Sequence, residues 1–159
     1  DWCRERLSPE NFDWLANLPY TQQDGDVLFS HGAPVVPELF NYLFSAEQVF
    51  EILDGIEALP AVTFIGHSHL TIAFRIKNDD VTPLLAQVIE CDPGAQYIIT
   101  AGSVGQPRDR NPKTCCGIYD TDARTFVFRR LQYDQLKTRQ KIIDAGLASI
   151  FGDRLLVGI

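Results

Sequence analysis

Cysteine and histidine are scarce in this chain of 159 residues, which contains 4 cysteines and 3 histidines. No two cysteines form a Cys-x-x-Cys pair, and their spacing excludes a zinc ribbon. We therefore interpret the cysteines as small apolar side chains of a protein that works in a reducing compartment, the cytoplasm. They are Cys3, Cys91, Cys115 and Cys116.

Long apolar runs and a surplus of positive charge are also absent. No apolar run reaches the roughly eighteen residues of a membrane span, so we expect no membrane partner. The 14 Lys and Arg against 21 Asp and Glu give a formal net charge of −7, which argues against a nucleic-acid partner. A small phosphorylated substrate stays compatible with this charge, because bound dications reverse the sign locally.

The chain has enough apolar material for one packed domain, with 45% hydrophobic and 11% aromatic residues. Helical and strand patterns alternate early in the chain, a run of strand patterns follows, and helical patterns end it. This order predicts an α/β (α+β) fold that forms a single domain over residues 1–159.

Capping residues predict where three helices begin. Ser8 followed by Pro9 is typical of a helix start, with serine as the cap and proline at the first helical position. Ser45 and Gln48 resemble a capping box, which predicts one helix that ends near residue 59. Asp134 is predicted to cap the last long helix.

Turn residues separate the predicted strands. The acids of Asp24-Gly25-Asp26 are interpreted as a polar hairpin turn rather than as metal ligands. Residues 84–89 are predicted as one strand and residues 114–131 as a hairpin.

All three histidines lie in two glycine-flanked motifs that follow predicted buried strands. His31 precedes Gly32 after the apolar residues 27–29, and Gly66-His67-Ser68-His69 follows the apolar residues 61–65. The carboxyl ends of neighbouring parallel strands are where α/β sheets place their sites. Because neutral imidazole is a common ligand for transition metals, the two motifs together predict a metal site formed by His31, His67 and His69.

Three motifs in this order resemble the calcineurin-like metallophosphoesterases, in the branch that contains bacterial phosphatases and proteins related to diadenosine tetraphosphatase. The last residues, 133–158, are also similar to the end of that branch, so the resemblance covers nearly the whole chain. The motifs are His31-Gly32-Ala33-Pro34, Gly66-His67-Ser68-His69 and Ala101-Gly102-Ser103-Val104-Gly105-Gln106-Pro107-Arg108.

The resemblance implies a four-layer α/β/β/α sandwich, of which this chain supplies one lobe, a mixed sheet with flanking helices. It also implies phosphoester hydrolysis at a centre of two divalent ions (Mn, Fe, Zn or Ni), with His31 and His67 on one ion and His69 on the other. The glycine-rich loop, with Gly102, Ser103 and Arg108, is expected near the phosphate. Alternatively, Arg108 pairs with Asp109 in a structural role.

The earlier signatures of that family, Asp-x-His, Gly-Asp and Gly-Asn-His, do not occur in the chain. We therefore expect residues 1–159 to be the C-terminal portion of a metallophosphoesterase domain. The bridging carboxylate and the catalytic acid of the family are missing from it, so we assign no catalytic residue to this portion and expect it to be inactive alone.

Two other hypotheses stay open. The chain is either a degenerate, non-catalytic member of the fold that binds a partner, with the aromatic residues Phe40, Tyr42 and Phe44 as a candidate surface, or a hydrolase with a single metal ion. In addition, half of a sandwich is expected to expose an apolar sheet face or an unpaired sheet edge, through which the chain could form homo-oligomers. The residues expected on that face are Val27, Phe29, Val62, Phe64, Ile98 and Ile99.

Overall fold

The computed structural model describes residues 2–159. The helices are α1 (Pro9–Ala16), α2 (Ala46–Phe50), α3 (Leu53–Ile56), α4 (Gln135–Asp144) and α5 (Ile150–Asp153), with 3₁₀ turns at Pro37–Leu39 and Arg154–Leu156. The strands are β1 (Thr21–Asp24), β2 (Val27–Ser30), β3 (Val62–Ile65), β4 (Thr71–Lys77), β5 (Asp80–Leu84), β6 (Val88–Glu90), β7 (Gln96–Ala101), β8 (Thr114–Asp120) and β9 (Thr125–Leu131).

The strands form two sheets. Six strands make a mixed sheet in the order β1-β2-β3-β7-β4-β5, in which β2, β3 and β7 are parallel neighbours. The other three make an antiparallel sheet in the order β6-β9-β8. A mixed sheet with flanking helices confirms the predicted α/β class.

The six-stranded sheet is covered on both faces. Alternate residues of its central strands point to opposite sides, so that Tyr97 and Ile99 pack toward the three-stranded sheet while Ile98 packs toward α2 and α3. The first core includes Phe126 and Phe128 of β9, and the second includes Val49 and Ile56 of the helices.

The predicted helix caps are confirmed. The Ser8 hydroxyl accepts a hydrogen bond from the Asn11 amide, and Pro9 is the first residue of α1. The Asp134 carboxylate accepts from the Lys137 amide at 2.9 Å at the start of α4. No helix within residues 2–159 is both long and apolar enough to cross a membrane.

Two predicted elements differ from the structure. Residues 84–89 do not form one strand: β5 ends at Leu84, and a separate strand, β6, begins at Val88 and joins the other sheet. The helix that begins after Ser45 does not continue to residue 59, because Ile52 leaves helical geometry with φ −113° and ψ 12° and divides it into α2 and α3. Apolar periodicity marks which residues face the core, but it does not locate such breaks.

The prediction of an exposed apolar sheet face is wrong for five of its six residues. Val27, Val62, Phe64, Ile98 and Ile99 are all at most 9% exposed. The three-stranded sheet and the helices α2 and α3 already cover them. Only the sixth candidate, Phe29, is substantially exposed, at 47%, and it lines a groove of about 420 Å³ beside His31. The structure therefore gives no support to homo-oligomers through this face.

Candidate metal centre

The three sequence motifs meet at one edge of the six-stranded sheet. His31 follows β2, His67 follows β3, and the loop of residues 102–108 follows β7. The three strands are parallel and in register, with Ser30 beside Ile65 and Ile65 beside Thr100. Their carboxyl ends therefore bring the motifs together, as expected for a site in an α/β sheet.

His31 and His67 face each other directly. The distance between His31 Nε2 and His67 Nδ1 is 3.1 Å, and the Gly66 amide donates a hydrogen bond to the His31 carbonyl at 3.0 Å. Two nitrogens that each lie about 2.0–2.1 Å from one metal ion would have a similar separation. This pair therefore fits two ligands of a single ion.

His69 reaches the same edge in a different way. Its Nδ1 lies 2.6 Å from the Gln106 carbonyl oxygen. A carbonyl only accepts hydrogen bonds, so Nδ1 carries the proton and Nε2 keeps its lone pair. Metal-binding histidines are commonly oriented by such a bond to a backbone carbonyl.

The backbone of this motif is strained in a way that is common at functional sites. Both His67 and His69 have φ of 59°, in the left-handed region that residues with side chains rarely adopt. Each such residue costs about 1–3 kcal/mol, and such residues cluster at active sites and ligand-binding sites.

The electrostatics of the edge favour neutral imidazoles. Burial lowers the pKa of His67, and the nearby His31, His69 and Arg108 lower it further, against a raising contribution from the Phe40 backbone. Burial also lowers the pKa of His69, and Arg108 adds to this effect, against the raising hydrogen bond to Gln106. Neutral imidazole is the form that binds a metal ion.

An aromatic wall, formed by Phe40, Tyr42 and Phe44, lies against the histidines. The Tyr42 ring stacks on His67 with centroids 3.9 Å apart, and Phe44 stacks on Tyr42 at 4.9 Å. Phe40 packs edge-on against His31 at 6.0 Å. The hypothesis of a partner-binding module took these rings as its candidate surface, and the structure places Phe40 and Tyr42 against His31 and His67.

The glycine-rich loop is held tightly beside the histidines. Gly102 has φ of 84°, and a side chain there would lie 2.7 Å from the Cys115 Cβ, so its glycine is explained by packing. The Ser103 hydroxyl accepts a hydrogen bond from the Gln106 amide at 2.9 Å. Both residues therefore have structural roles in shaping the loop.

The expected pairing of Arg108 with Asp109 is wrong. Asp109 pairs instead with Arg130 and accepts a hydrogen bond from the Thr71 hydroxyl. The Arg108 guanidinium donates to the side-chain oxygen of Gln106 and lies close enough to lower the pKa of His67 and His69. Gln106 thus contacts both His69 and Arg108. The sequence motif included Gln106, but the sequence did not indicate these contacts.

No carboxylate joins the histidines. Within residues 2–159, no three His, Cys, Asp or Glu side chains are gathered closely enough to hold a metal ion as they stand. The centre seen in the described part of the chain is thus a pair of facing imidazoles with a third, oriented imidazole nearby.

The comparisons with known proteins identify the fold. No protein-family profile matches the chain. An uncharacterized protein of Methanocaldococcus jannaschii is 31% identical over 162 residues, which cover 99% of this chain and 63% of that protein. A metallophosphoesterase from Sphaerobacter thermophilus superposes with a TM-score of 0.84 at 30% identity, over 98% of this chain and 64% of its own. A hypothetical protein from Pyrococcus horikoshii shares the fold alone, with a TM-score of 0.72 at 17% identity, over 98% of this chain and 57% of its own.

The chain has the calcineurin-like metallophosphoesterase fold, as its motifs predicted. It spans less than two thirds of the length of the relatives that it matches.

Proposed function

We propose that this chain is the histidine-bearing part of a metal-dependent phosphoesterase. The proposed reaction is hydrolysis of a phosphoester bond in a small phosphorylated substrate at a centre of two divalent ions. The observation that carries the proposal is the 3.1 Å separation of His31 Nε2 and His67 Nδ1 at the carboxyl ends of two parallel strands of the mixed sheet. The metallophosphoesterase fold gives this pair its chemical context.

The three histidines have distinct positions in this proposal. His31 and His67 would hold one ion through the nitrogens that face each other, and His69 would hold the other through Nε2. Ions bound there would polarise the phosphoryl group and supply hydroxide near neutral pH. The chain itself contributes neutral nitrogen ligands and the orientation of each imidazole.

Charge requires further ligands. Three neutral imidazoles do not offset the charge of two dications, and Mn or Fe ordinarily takes carboxylate oxygens as well. The nearby Asp109 is already paired with Arg130. We therefore propose that the carboxylates come from the additional length that the relatives possess, and that the three histidines alone favour Zn or Ni.

Arg108 is the residue of this chain best placed to bind the phosphate. Its backbone amide donates to the His69 carbonyl at 3.2 Å, its positive charge lowers the pKa of His67 and His69, and it forms no ion pair within residues 2–159. A guanidinium can bind two phosphate oxygens at once through its fixed array of N–H groups.

The alternative of a non-catalytic module that binds a partner receives less support. Its candidate surface was the aromatic segment, yet Tyr42 stacks on His67 and Phe40 contacts His31. Phe40 and Tyr42 therefore contact the imidazoles of the proposed centre, although both rings and Phe44 keep an exposed side.

Calorimetric titration of the metal-free chain with Zn²⁺ and Ni²⁺ tests the proposal. We expect His31→Ala and His67→Ala each to weaken binding at least about tenfold, because loss of a ligand is more harmful than loss of a supporting partner. Cys3→Ser is the matched control, since Cys3 is an exposed thiol and a competing zinc ligand. Unchanged binding in both histidine variants would contradict the proposal.

A further inference from the structure

We infer that Gln106 is the positioning residue of this site, orienting His69 with its backbone carbonyl and Arg108 with its side chain. The inference rests on the proposed function, because it assigns His69 to a metal ion and Arg108 to the phosphate. It adds a residue that contacts the side chains of both His69 and Arg108 and sets their directions.

The turn that contains Gln106 is held in place by hydrogen bonds and by a buried neighbour. Its amide donates to the Ser103 hydroxyl at 2.9 Å, and the Ser103 carbonyl accepts from the Cys115 amide of β8 at 2.8 Å. The next residue, Pro107, is among the fully buried side chains. The turn is thus tied to the three-stranded sheet on one side and anchored in the interior on the other.

The backbone of Gln106 determines which nitrogen of His69 is available. The Gln106 carbonyl oxygen lies 2.6 Å from His69 Nδ1 and accepts a hydrogen bond from its N–H, which keeps the proton on that nitrogen. The Arg108 amide donates to the His69 carbonyl at 3.2 Å. Both hydrogen bonds come from the same turn. One fixes the ring of His69 and the other fixes its backbone, which has left-handed geometry. Nε2 is left free to bind an ion.

The side chain of Gln106 determines the direction of the Arg108 guanidinium. Its Oε1 accepts from Arg108 Nε at 3.3 Å and from Nη2 at 3.0 Å. A guanidinium has five N–H groups, so three remain for an anion. Because the glutamine acceptor is neutral, it leaves the positive charge of Arg108 available to an anion. A carboxylate at this position would form an ion pair with Arg108 and offset that charge.

Substitution can separate the role of the Gln106 backbone carbonyl from the role of its side chain. Gln106→Ala removes the side-chain acceptor but keeps the backbone carbonyl, so Arg108 should lose its orientation while His69 keeps its Nδ1–H form. Gln106→Glu keeps an acceptor for Arg108 but adds a negative charge that offsets the positive charge of the guanidinium. A residue that only stabilised the loop would show neither pattern, because loss of the turn would affect both side chains together.

Nitrogen NMR of the metal-free 159-residue chain, titrated with inorganic phosphate, measures both the orientation of Arg108 and the protonated nitrogen of His69. In wild type we expect a protected Arg108 Nε–H signal that shifts with phosphate, and His69 protonated at Nδ1. In Gln106→Ala we expect the protection to be lost and phosphate affinity to fall at least about fivefold, since hydrogen bonds to charged groups are the stronger kind. The His69 signals should be unchanged.

Two further variants complete the test. In Gln106→Glu the Arg108 signal should stay protected while phosphate binding still falls, which keeps the proposal testable if the alanine variant does not fold. Gln23→Ala, at an exposed glutamine whose side-chain amide donates to the Gly25 carbonyl, is the matched control and should match wild type. Wild-type Arg108 protection and phosphate affinity in Gln106→Ala would overturn the inference. These readouts need no metal, so a failed metal titration would contradict the proposed function without altering them.

Discussion

Burial separates two of the four thiols of this chain, Cys91 and Cys115, from the exposed Cys3 in reactivity. Burial raises the pKa of Cys91 to about 11 and also raises the pKa of Cys115, while Cys3 is exposed. Only the thiolate is nucleophilic, so a thiol with a pKa about three units above the pH is ionised in about one molecule in a thousand. The buried cysteines thus behave as the small apolar side chains that the sequence predicted.

Thiol labelling at pH 8 checks this difference. We expect an aromatic disulfide reagent to modify Cys3 rapidly in the folded chain, whereas Cys91 and Cys115 react at comparable rates only after denaturation. Peptide mass mapping identifies the modified residues, and Cys3→Ser should remove the fast phase. Fast modification of Cys91 in the folded chain would be incompatible with its burial.

At the scale of the elements, a polar cluster joins the two sheets near the site. Asp109 lies in the loop after β7, pairs with Arg130 of β9 and accepts from the Thr71 hydroxyl of β4. Arg130 also donates to the Thr71 hydroxyl at 2.8 Å. The side chains of Arg130 and Asp109 are only 21% and 15% exposed, so each charge depends on the other for compensation.

Asp109→Ala should lower the free energy of unfolding by about 2–3 kcal/mol, somewhat less than for a fully buried pair because some exposure remains. Denaturant unfolding measures the change. Asp153→Ala is the matched control: its pair with Arg139 is 42% and 32% exposed, so we expect a loss within about 1 kcal/mol. Equal effects of the two substitutions would show that the cluster does not hold the sheets together.

The elements also show what the sequence could and could not reveal. Local signals were sufficient where one residue determines the geometry, as with the caps at Ser8 and Asp134. They failed for β6, because residues 84–90 divide between two sheets and only tertiary packing decides where a strand changes partner. The motifs placed His31 and His67 at one edge, but the contacts of Gln106 depend on a turn that no periodicity describes.

At the scale of the whole molecule, two cores share one central sheet. The helices α2 and α3 cover one face of that sheet, and the three-stranded sheet covers the other. The expectation of an uncovered face came from treating the chain as one sheet with its helices. The sequence predicted the hairpin of β8 and β9 correctly, but nothing in its local pattern showed that this hairpin folds back over Val62 and Phe64.

The last prediction concerns the activity of the whole chain. The histidine edge supplies three imidazoles and an arginine, and no carboxylate joins them within residues 2–159. Two dications held there would keep nearly all of their mutual repulsion, because nitrogen ligands add no negative charge. A chain in this state lacks the charge balance that a pair of ions needs.

We therefore expect the purified 159-residue chain to hydrolyse p-nitrophenyl phosphate negligibly with added Mn²⁺ or Ni²⁺, as followed by nitrophenolate absorbance. His67→Ala is the control for adventitious hydrolysis and should give the same background rate. In a protein extended to the length of the relatives, the same substitution should reduce turnover at least about a hundredfold, because a metal ligand matters more than its supporting partners. Turnover by the short chain at about one per second, a rate typical of enzymes, would mean that its own residues complete the centre.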